Sequence, residues 1–367
     1  MKLAYSWVWA SLLIGLVSFT TPGDKKEFTQ SVKKEFAIDA NGLVGLANKY
    51  GNINVLTWEK DRAKIEVTIT VQAGNEEKAL KVFDRINIDF SNNGSSQVRA
   101  ETQIESQNNN WWGSSGGSGE FTIDYEVYIP STVELELYNK YGNIDLAPVE
   151  GKTTINLKYG NTQVQGVDND MVLNLGYGNA TVLQAKDFAG NLAYCKLNLG
   201  KTRDLNIESK YSKINVEQAN DLRVTSKYDT YEIGKLASYK GQGKYDNIVI
   251  EQIDDLSAIS KYSDFQIENI TNSLDLDLQY GEVNVEQLSR GFSEVRLVGR
   301  YTDYKMGVEN GASYQLEATA DYAGISYPSE MNITYEKDNG TFHEVEGHMG
   351  TENARSVIKV RLDYGGL

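Results

Sequence analysis

Cysteine occurs once in this chain of 367 residues, histidine twice and proline four times. A single cysteine rules out a disulfide framework, and so few prolines rule out a proline-rich stalk. Two histidines leave little room for imidazole chemistry. Positive charge is also short: the formal net charge is −15, which disfavours nonspecific attraction to nucleic acid or anionic lipid, both polyanions. Stability therefore has to come from packing and backbone hydrogen bonds.

Long apolar runs are missing as well, except at the start. After Lys2, residues 3–18 hold Trp7, Val8, Trp9, Leu12, Leu13, Ile14, Leu16 and Val17, and the chain turns polar at Thr20, Thr21 and Pro22. The run is shorter than the ~20 residues of a spanning helix, and Ser18 and Thr20 suit a processing site. It reads as a secretory signal peptide over residues 1–22, with an uncleaved anchor as the alternative. No cysteine follows it to carry a lipid. The expectation is an exported chain, periplasmic or on the cell surface, that is not a lipoprotein and has no membrane span after cleavage.

What is plentiful is tyrosine, with 23 residues. Tyr141, Tyr159, Tyr177, Tyr194, Tyr211, Tyr228, Tyr245, Tyr262, Tyr280, Tyr301 and Tyr322 are spaced by 18, 18, 17, 17, 17, 17, 17, 18, 21 and 21. Apolar residues alternate around each anchor, as in Ile155, Leu157, Tyr159 and then Thr162, Val164, or Leu205, Ile207, Tyr211 and then Ile214, Val216. A period of two means strand. The phase shifts by one residue after each Tyr, so each repeat holds two short strands joined at a corner, where Gly142, Gly160, Gly178 and Gly281 offer a permissive backbone. One such unit buries almost nothing alone and has to stack on its neighbours.

The expected fold is all-β: a single-stranded parallel β-helix or solenoid of 17–18-residue rungs over residues 136–330. A β-rich N-terminal region (23–135) and a C-terminal β cap (331–367) flank it. The Tyr column shares its phase with the aliphatic columns, so it is expected to point inward as a core ladder rather than outward as an aromatic strip. Lys140, Lys158, Lys210, Lys227, Lys244 and Lys261 alternate with it and are expected to point out.

Before residue 136, Lys49-Tyr50-Gly51-Asn52-Ile53-Asn54-Val55 matches the repeat, which makes it an early rung followed by an excursion of 91 residues to Tyr141. Within the excursion, residues 64–71 and 119–128 read as strands and Glu76–Phe83 as the one short helix. Residues 108–119 read as a polar loop carrying Trp111 and Trp112, a possible contact for a sugar or a partner. Near the C-terminus, 332–335 and 341–345 suggest a hairpin about Asp338-Asn339-Gly340. Residues 356–362 suggest a closing strand, and Tyr364-Gly365 is another rung-like pair.

Chemistry-bearing constellations are thin. His343 and His348 are five apart, so on a strand they face opposite ways and no metal site is expected. Cys195 sits at a corner position with no histidine near it in sequence, and reads as a buried structural thiol. There is no phosphate-binding glycine loop and no Gly-x-Ser-x-Gly elbow. Pairs such as Asp254 with Asp255, or Asp275 with Asp277, carry little weight as acid and base. No catalytic residue, cofactor or metal is therefore expected.

The segment Gly45-Leu46-Ala47-Asn48-Lys49-Tyr50-Gly51-Asn52-Ile53-Asn54-Val55 with Trp58, the strand ending in Tyr128-Ile129-Pro130, and Asn139-Lys140-Tyr141-Gly142-Asn143-Ile144 together resemble a bacterial family of exported β-strand-repeat proteins named "putative adhesins". The resemblance implies a right-handed parallel solenoid at the cell envelope and supplies no ligand and no site residues. The resulting expectation is a non-enzymatic envelope protein that offers sheet faces, the Lys row or the paired Trp to a protein or glycan partner. A β-helical carbohydrate-active enzyme and a periplasmic component of envelope-stress signalling are the alternatives.

Overall fold

The computed structural model describes residues 13–15, 25–105 and 120–367. Trp111 and Trp112 lie outside the described residues, as does most of the N-terminal apolar segment. Among the described residues the chain forms 23 strands and one helix, and the strands make a long, mostly parallel sheet. The chain divides into two compact units, one up to Thr181 and the other Val182–Leu367.

In the first unit the two strands of each repeat flank a tyrosine. Leu43–Lys49 and Ile53–Thr57 enclose Tyr50, Glu134–Lys140 and Ile144–Leu146 enclose Tyr141, and Thr153–Lys158 and Thr162–Val164 enclose Tyr159. Their registers are parallel and keep equivalent residues opposed: Lys49↔Lys140, Ile53↔Ile144, Leu135↔Thr153 and Ile144↔Thr162. Alternation puts Val44, Leu46, Val55, Leu137, Leu146, Ile155 and Leu157 inside, all buried.

Tyr50 thus belongs to a layer stacked directly under the Tyr141 layer, as the sequence predicts. The intervening excursion covers the other side of that first layer. Arg62–Ala73 pairs antiparallel with Lys26–Ala37 and with Glu120–Ile129, and the latter lies parallel to Ile53–Thr57. The hairpin of Ile86–Asn93 and Gln97–Ile104 sets its second strand parallel to Leu43–Lys49. The helix forms where predicted, Glu76–Phe83. The Asn75 side chain accepts from the Lys78 N–H, Glu76 and Glu77 occupy the first turn, and Lys81 lies in the last, each matching the helix dipole.

The second unit carries the most regular repeats. Asp204–Lys210, Lys213–Lys227, Thr230–Lys244, Asn247–Lys261 and Asp264–Leu288 follow one another in parallel. Residues sit opposite those 17 positions on, as in Lys227↔Lys244, until the register shifts after Ile253 and Lys261 opposes Gln279, 18 on. Leu205, Ile207, Leu222, Ile233, Ile248, Leu256, Phe265 and Leu276 fill the interior.

The C-terminal end departs from the expected order. Ser356–Gly366 does not close the array; it inserts between Glu294–Val308 and Tyr314–Gly324, parallel to both. A parallel strand with a partner on each edge satisfies both rows of backbone groups, which an end position would not. The predicted hairpin is present: Phe342–Met349 runs antiparallel to Tyr314–Gly324 and to Asn332–Asp338. Gly340 at φ 85° makes its turn, with the Gly340 N–H donating to Asp338 Oδ1 at 2.7 Å.

Candidate interaction surface: the tyrosine corner

The corner overturns the expectation that tyrosines line the core. All thirteen repeat tyrosines, from Tyr50 to Tyr364, adopt φ between 51° and 66°, and they are the only positive-φ non-glycine residues described. A left-handed residue breaks the alternation of a strand. Tyr159, in phase with buried Ile155 and Leu157, is therefore thrown outward. Apart from half-buried Tyr50 the column is exposed, from 39% at Tyr141 to 62% at Tyr322.

The glycines after the tyrosines also play a different part from the one expected. None of Gly142, Gly160, Gly178 and Gly281 needs positive φ. Each lies where a Cβ would strike the carbonyl of the layer beneath, at 1.9, 2.0, 1.8 and 2.1 Å. In the first unit the asparagine that follows links the layers: the Asn143 N–H donates to Asn52 Oδ1, Asn161 to Asn143 and Asn179 to Asn161, at 2.9 to 3.0 Å.

A left-handed non-glycine residue costs roughly 1 kcal/mol, and thirteen in one chain need compensation. Two interactions offer it. The corner N–H groups of Tyr50, Tyr141, Tyr159, Tyr211, Tyr228, Tyr245 and Tyr262 bond to a neighbouring layer, as Tyr141 donates to the Lys158 carbonyl at 3.0 Å and Tyr228 to that of Lys244 at 3.0 Å. The rings also stack. In the first unit Tyr50, Tyr141, Tyr159 and Tyr177 follow at 5.2, 5.2 and 5.0 Å, and the Tyr50 end meets the edge of Phe121. In the second, Tyr194 through Tyr301 stack at 4.7 to 5.0 Å. The series then continues through Tyr364 to Tyr322, because the inserted strand lies between them.

Tyr228, stacked on both Tyr211 and Tyr245, tests this account. Tyr228→Ala keeps the strained φ and loses both stacks, so it should cost about 2 kcal/mol. Tyr228→Gly should be less damaging than Tyr228→Ala, the reverse of the usual order in a strand. Urea unfolding of the two variants decides; an alanine variant more stable than the glycine one would contradict the left-handed corner.

The predicted lysines lie on the outward side: Lys140 is half-buried, and Lys158, Lys210, Lys227, Lys244 and Lys261 are exposed. Three lean over their own tyrosine, with Nζ 4.8 Å (Lys140), 5.2 Å (Lys158) and 5.2 Å (Lys227) from the ring centre. Pairing registers bring Lys210, Lys227, Lys244 and Lys261 into one column beside Tyr211, Tyr228, Tyr245 and Tyr262.

Inward of the second-unit ridge the small corner position becomes polar: Cys195, Ser212, Asp229, Asp246 and Ser263 are all buried. Asp229 accepts from the Ser212 N–H at 2.6 Å and Ser209 Oγ at 2.7 Å. Asp246 accepts from the Asp229 N–H at 2.9 Å and Ser226 Oγ at 2.8 Å. Burial pushes both carboxyls up, Asp246 to about 6. The Cys195 N–H donates to Ser212 Oγ at 3.2 Å, so the thiol is a buried part of this column. His343 Nε2 lies 3.0 Å from Glu336 Oε1, and among the described residues no group of three His, Cys, Asp or Glu side chains could hold a metal ion.

Sequence reasoning missed the direction of the tyrosines and the buried aspartates. One signal was available: core columns interchange Leu, Ile, Val and Phe, whereas the anchor is Tyr in every repeat, which points to a role for the hydroxyl or the corner.

No family model and no curated protein matches this chain. Among solved structures it is similar to one described as "a putative cell adhesion protein" from Clostridium sporogenes ATCC 15579, at 7% identity and a TM-score of 0.17 over 91% of this chain and 96% of that one. A TM-score that low does not establish a shared fold. Among the described residues no helix is long and apolar enough to cross a membrane.

Proposed function

We propose that this chain is an exported, non-enzymatic envelope protein of the adhesin type, whose repeats wind as a parallel β-solenoid and whose tyrosine ridge, flanked by lysines, is its binding surface. The observation that carries this reading is the exposure, within each unit, of the repeat tyrosines from Tyr141 on. Large aromatics held half in water at the expense of backbone strain gain little for the fold that a buried ladder would not gain more cheaply, and exposed aromatics repeated along one line are what a binding surface uses. Export is supported by the apolar segment after Lys2, and winding by parallel registers that advance 17 or 18 residues while keeping equivalent residues opposed.

Fractionation of producing cells, with protease added to intact cells, tests the location. External cleavage of the mature chain places it on the surface, and protection until the envelope is opened places it inside. The surface itself is tested by binding of the purified chain to envelope fractions. A Tyr228→Asn, Tyr245→Asn, Tyr262→Asn variant, with residues that tolerate the left-handed corner, should keep its circular dichroism spectrum and lose at least about tenfold in binding. A folded variant that binds like the parent would remove the ridge from consideration.

A further inference from the structure

The lysine column of the second unit is electrostatically costly. Lys210, Lys227, Lys244 and Lys261 lie directly opposite one another across successive parallel strands, about 4.8 Å per step, and like charges so placed repel. Four residues back on the same outward face, Arg223 opposes Lys240 in the same way. Between these columns stand Glu208, Thr225, Gln242 and Ile259, while Asp204, Asp221 and Asp255 lie six residues before the lysines, so four layers gather six cations at the tyrosine end of the face beside one carboxylate and leave the other three at its far end, in a chain whose net charge is −15. Among the described residues none of the six cations has a carboxylate within 4.0 Å, whereas Lys213, Arg203 and Arg296 nearby are all paired.

Protection of a sheet edge, the usual reason for lysines on strands, does not apply. Lys227 and Lys244 sit on strands paired on both sides. The flanking rings narrow the chemistry further. Tyr211, Tyr228, Tyr245 and Tyr262 cover one another's faces at 4.7 to 4.9 Å, so a sugar cannot lie flat on any of them; what they offer is their edges and a row of hydroxyls at the same pitch as the ammonium groups.

We propose that this face binds a linear acidic polysaccharide, a polyuronate, laid along the stack so that successive carboxylates meet Lys210, Lys227, Lys244 and Lys261 while the tyrosine hydroxyls hydrogen-bond its hydroxyls. The inference rests on the binding-surface reading above and names its ligand class. A linear polymer with one anion per sugar matches a linear column with one cation per layer, and selection falls to charge rather than stacking. Arg223 and Lys240 widen the positive strip to one side.

Titration calorimetry of the full chain with oligogalacturonate in 50 mM salt at pH 7.5 tests it. The expected result is saturable binding that weakens at least fivefold at 200 mM salt, with no binding of a neutral glucan of equal length. Lys227→Gln with Lys244→Gln should lose tenfold or more, with a melting temperature unchanged or higher because a repulsion is relieved. Lys196→Gln with Lys201→Gln, exposed lysines outside the column, should bind like the parent. Equal binding of the neutral glucan, indifference to Lys227 and Lys244, or tighter binding of polyglutamate would each overturn the glycan assignment. If oligogalacturonate fails while envelope fractions still bind through the tyrosines, the ligand class is wrong and the binding surface stands.

Discussion

Replacing Gly178 by alanine should cost the first unit about 3 kcal/mol or more, while the same change two residues earlier, at Gly176, should be nearly silent. A Cβ on Gly178 would lie 1.8 Å from the Gly160 carbonyl oxygen and 2.9 Å from its carbon. That atom is backbone, held in the layer beneath, so relief requires moving one layer off another. A Cβ on Gly176 meets only Lys158 Cγ, at an ordinary 3.8 Å. Neither glycine is at positive φ, so conformational strain cannot produce the difference. It isolates the close approach of layers, and guanidinium unfolding with an unchanged m-value for both variants is the measurement. Equal stabilities would mean that the layers are not packed this closely at the corner.

Asp246→Asn should stabilise the second unit at pH 7.5 and leave it unchanged near pH 4. Burial raises the Asp246 carboxyl to about 6 in the folded chain, against ~3.9 when unfolded. The folded state therefore holds the proton more tightly, and this group's contribution is fully present below pH ~4 and lost as pH rises through about 6. Asp229, raised by burial and one layer away, acts in the same direction. Asparagine keeps the acceptor for the Asp229 N–H and can donate to Ser226 Oγ while carrying no charge. The gain above pH 7 should be on the order of 1 kcal/mol, and the slope of stability against pH between 4 and 7 should flatten. Thermal melts of parent and variant across that range decide it: a variant less stable than the parent at pH 7.5 would show that the charged carboxylate is the favoured form.

Much of this architecture is legible along the chain. The stepwise recurrence of Tyr, the alternation of Ile155, Leu157 or Leu205, Ile207, and the Lys49–Val55 match with its long excursion are local patterns, and each reappears in the structure as strands, buried faces and a layer under Tyr141. The helix at Glu76–Phe83 carries its own capping signals. The lysines were placed outward by the same alternation. Arg223 and Lys240 escaped notice because they flank no anchor, and only the register shows them stacked.

What the residues determined alone was the period, the strand pairs and the identity of the inward aliphatic columns, because hydrophobic alternation is written into each repeat by itself. Tertiary structure decided three things: that each Tyr turns outward, that Ser356–Gly366 lies between Glu294–Val308 and Tyr314–Gly324, and that Asp229 and Asp246 are buried with raised carboxyls. Each depends on the neighbouring layer. The carbonyl under the corner leaves no room for a Cβ at Gly142, Gly160, Gly178 and Gly281, the left-handed tyrosine that completes the turn is held by a neighbouring layer's hydrogen bond and rings, and strands far apart in sequence fill whichever edge is unpaired. Those are contacts between layers, and no single repeat contains them.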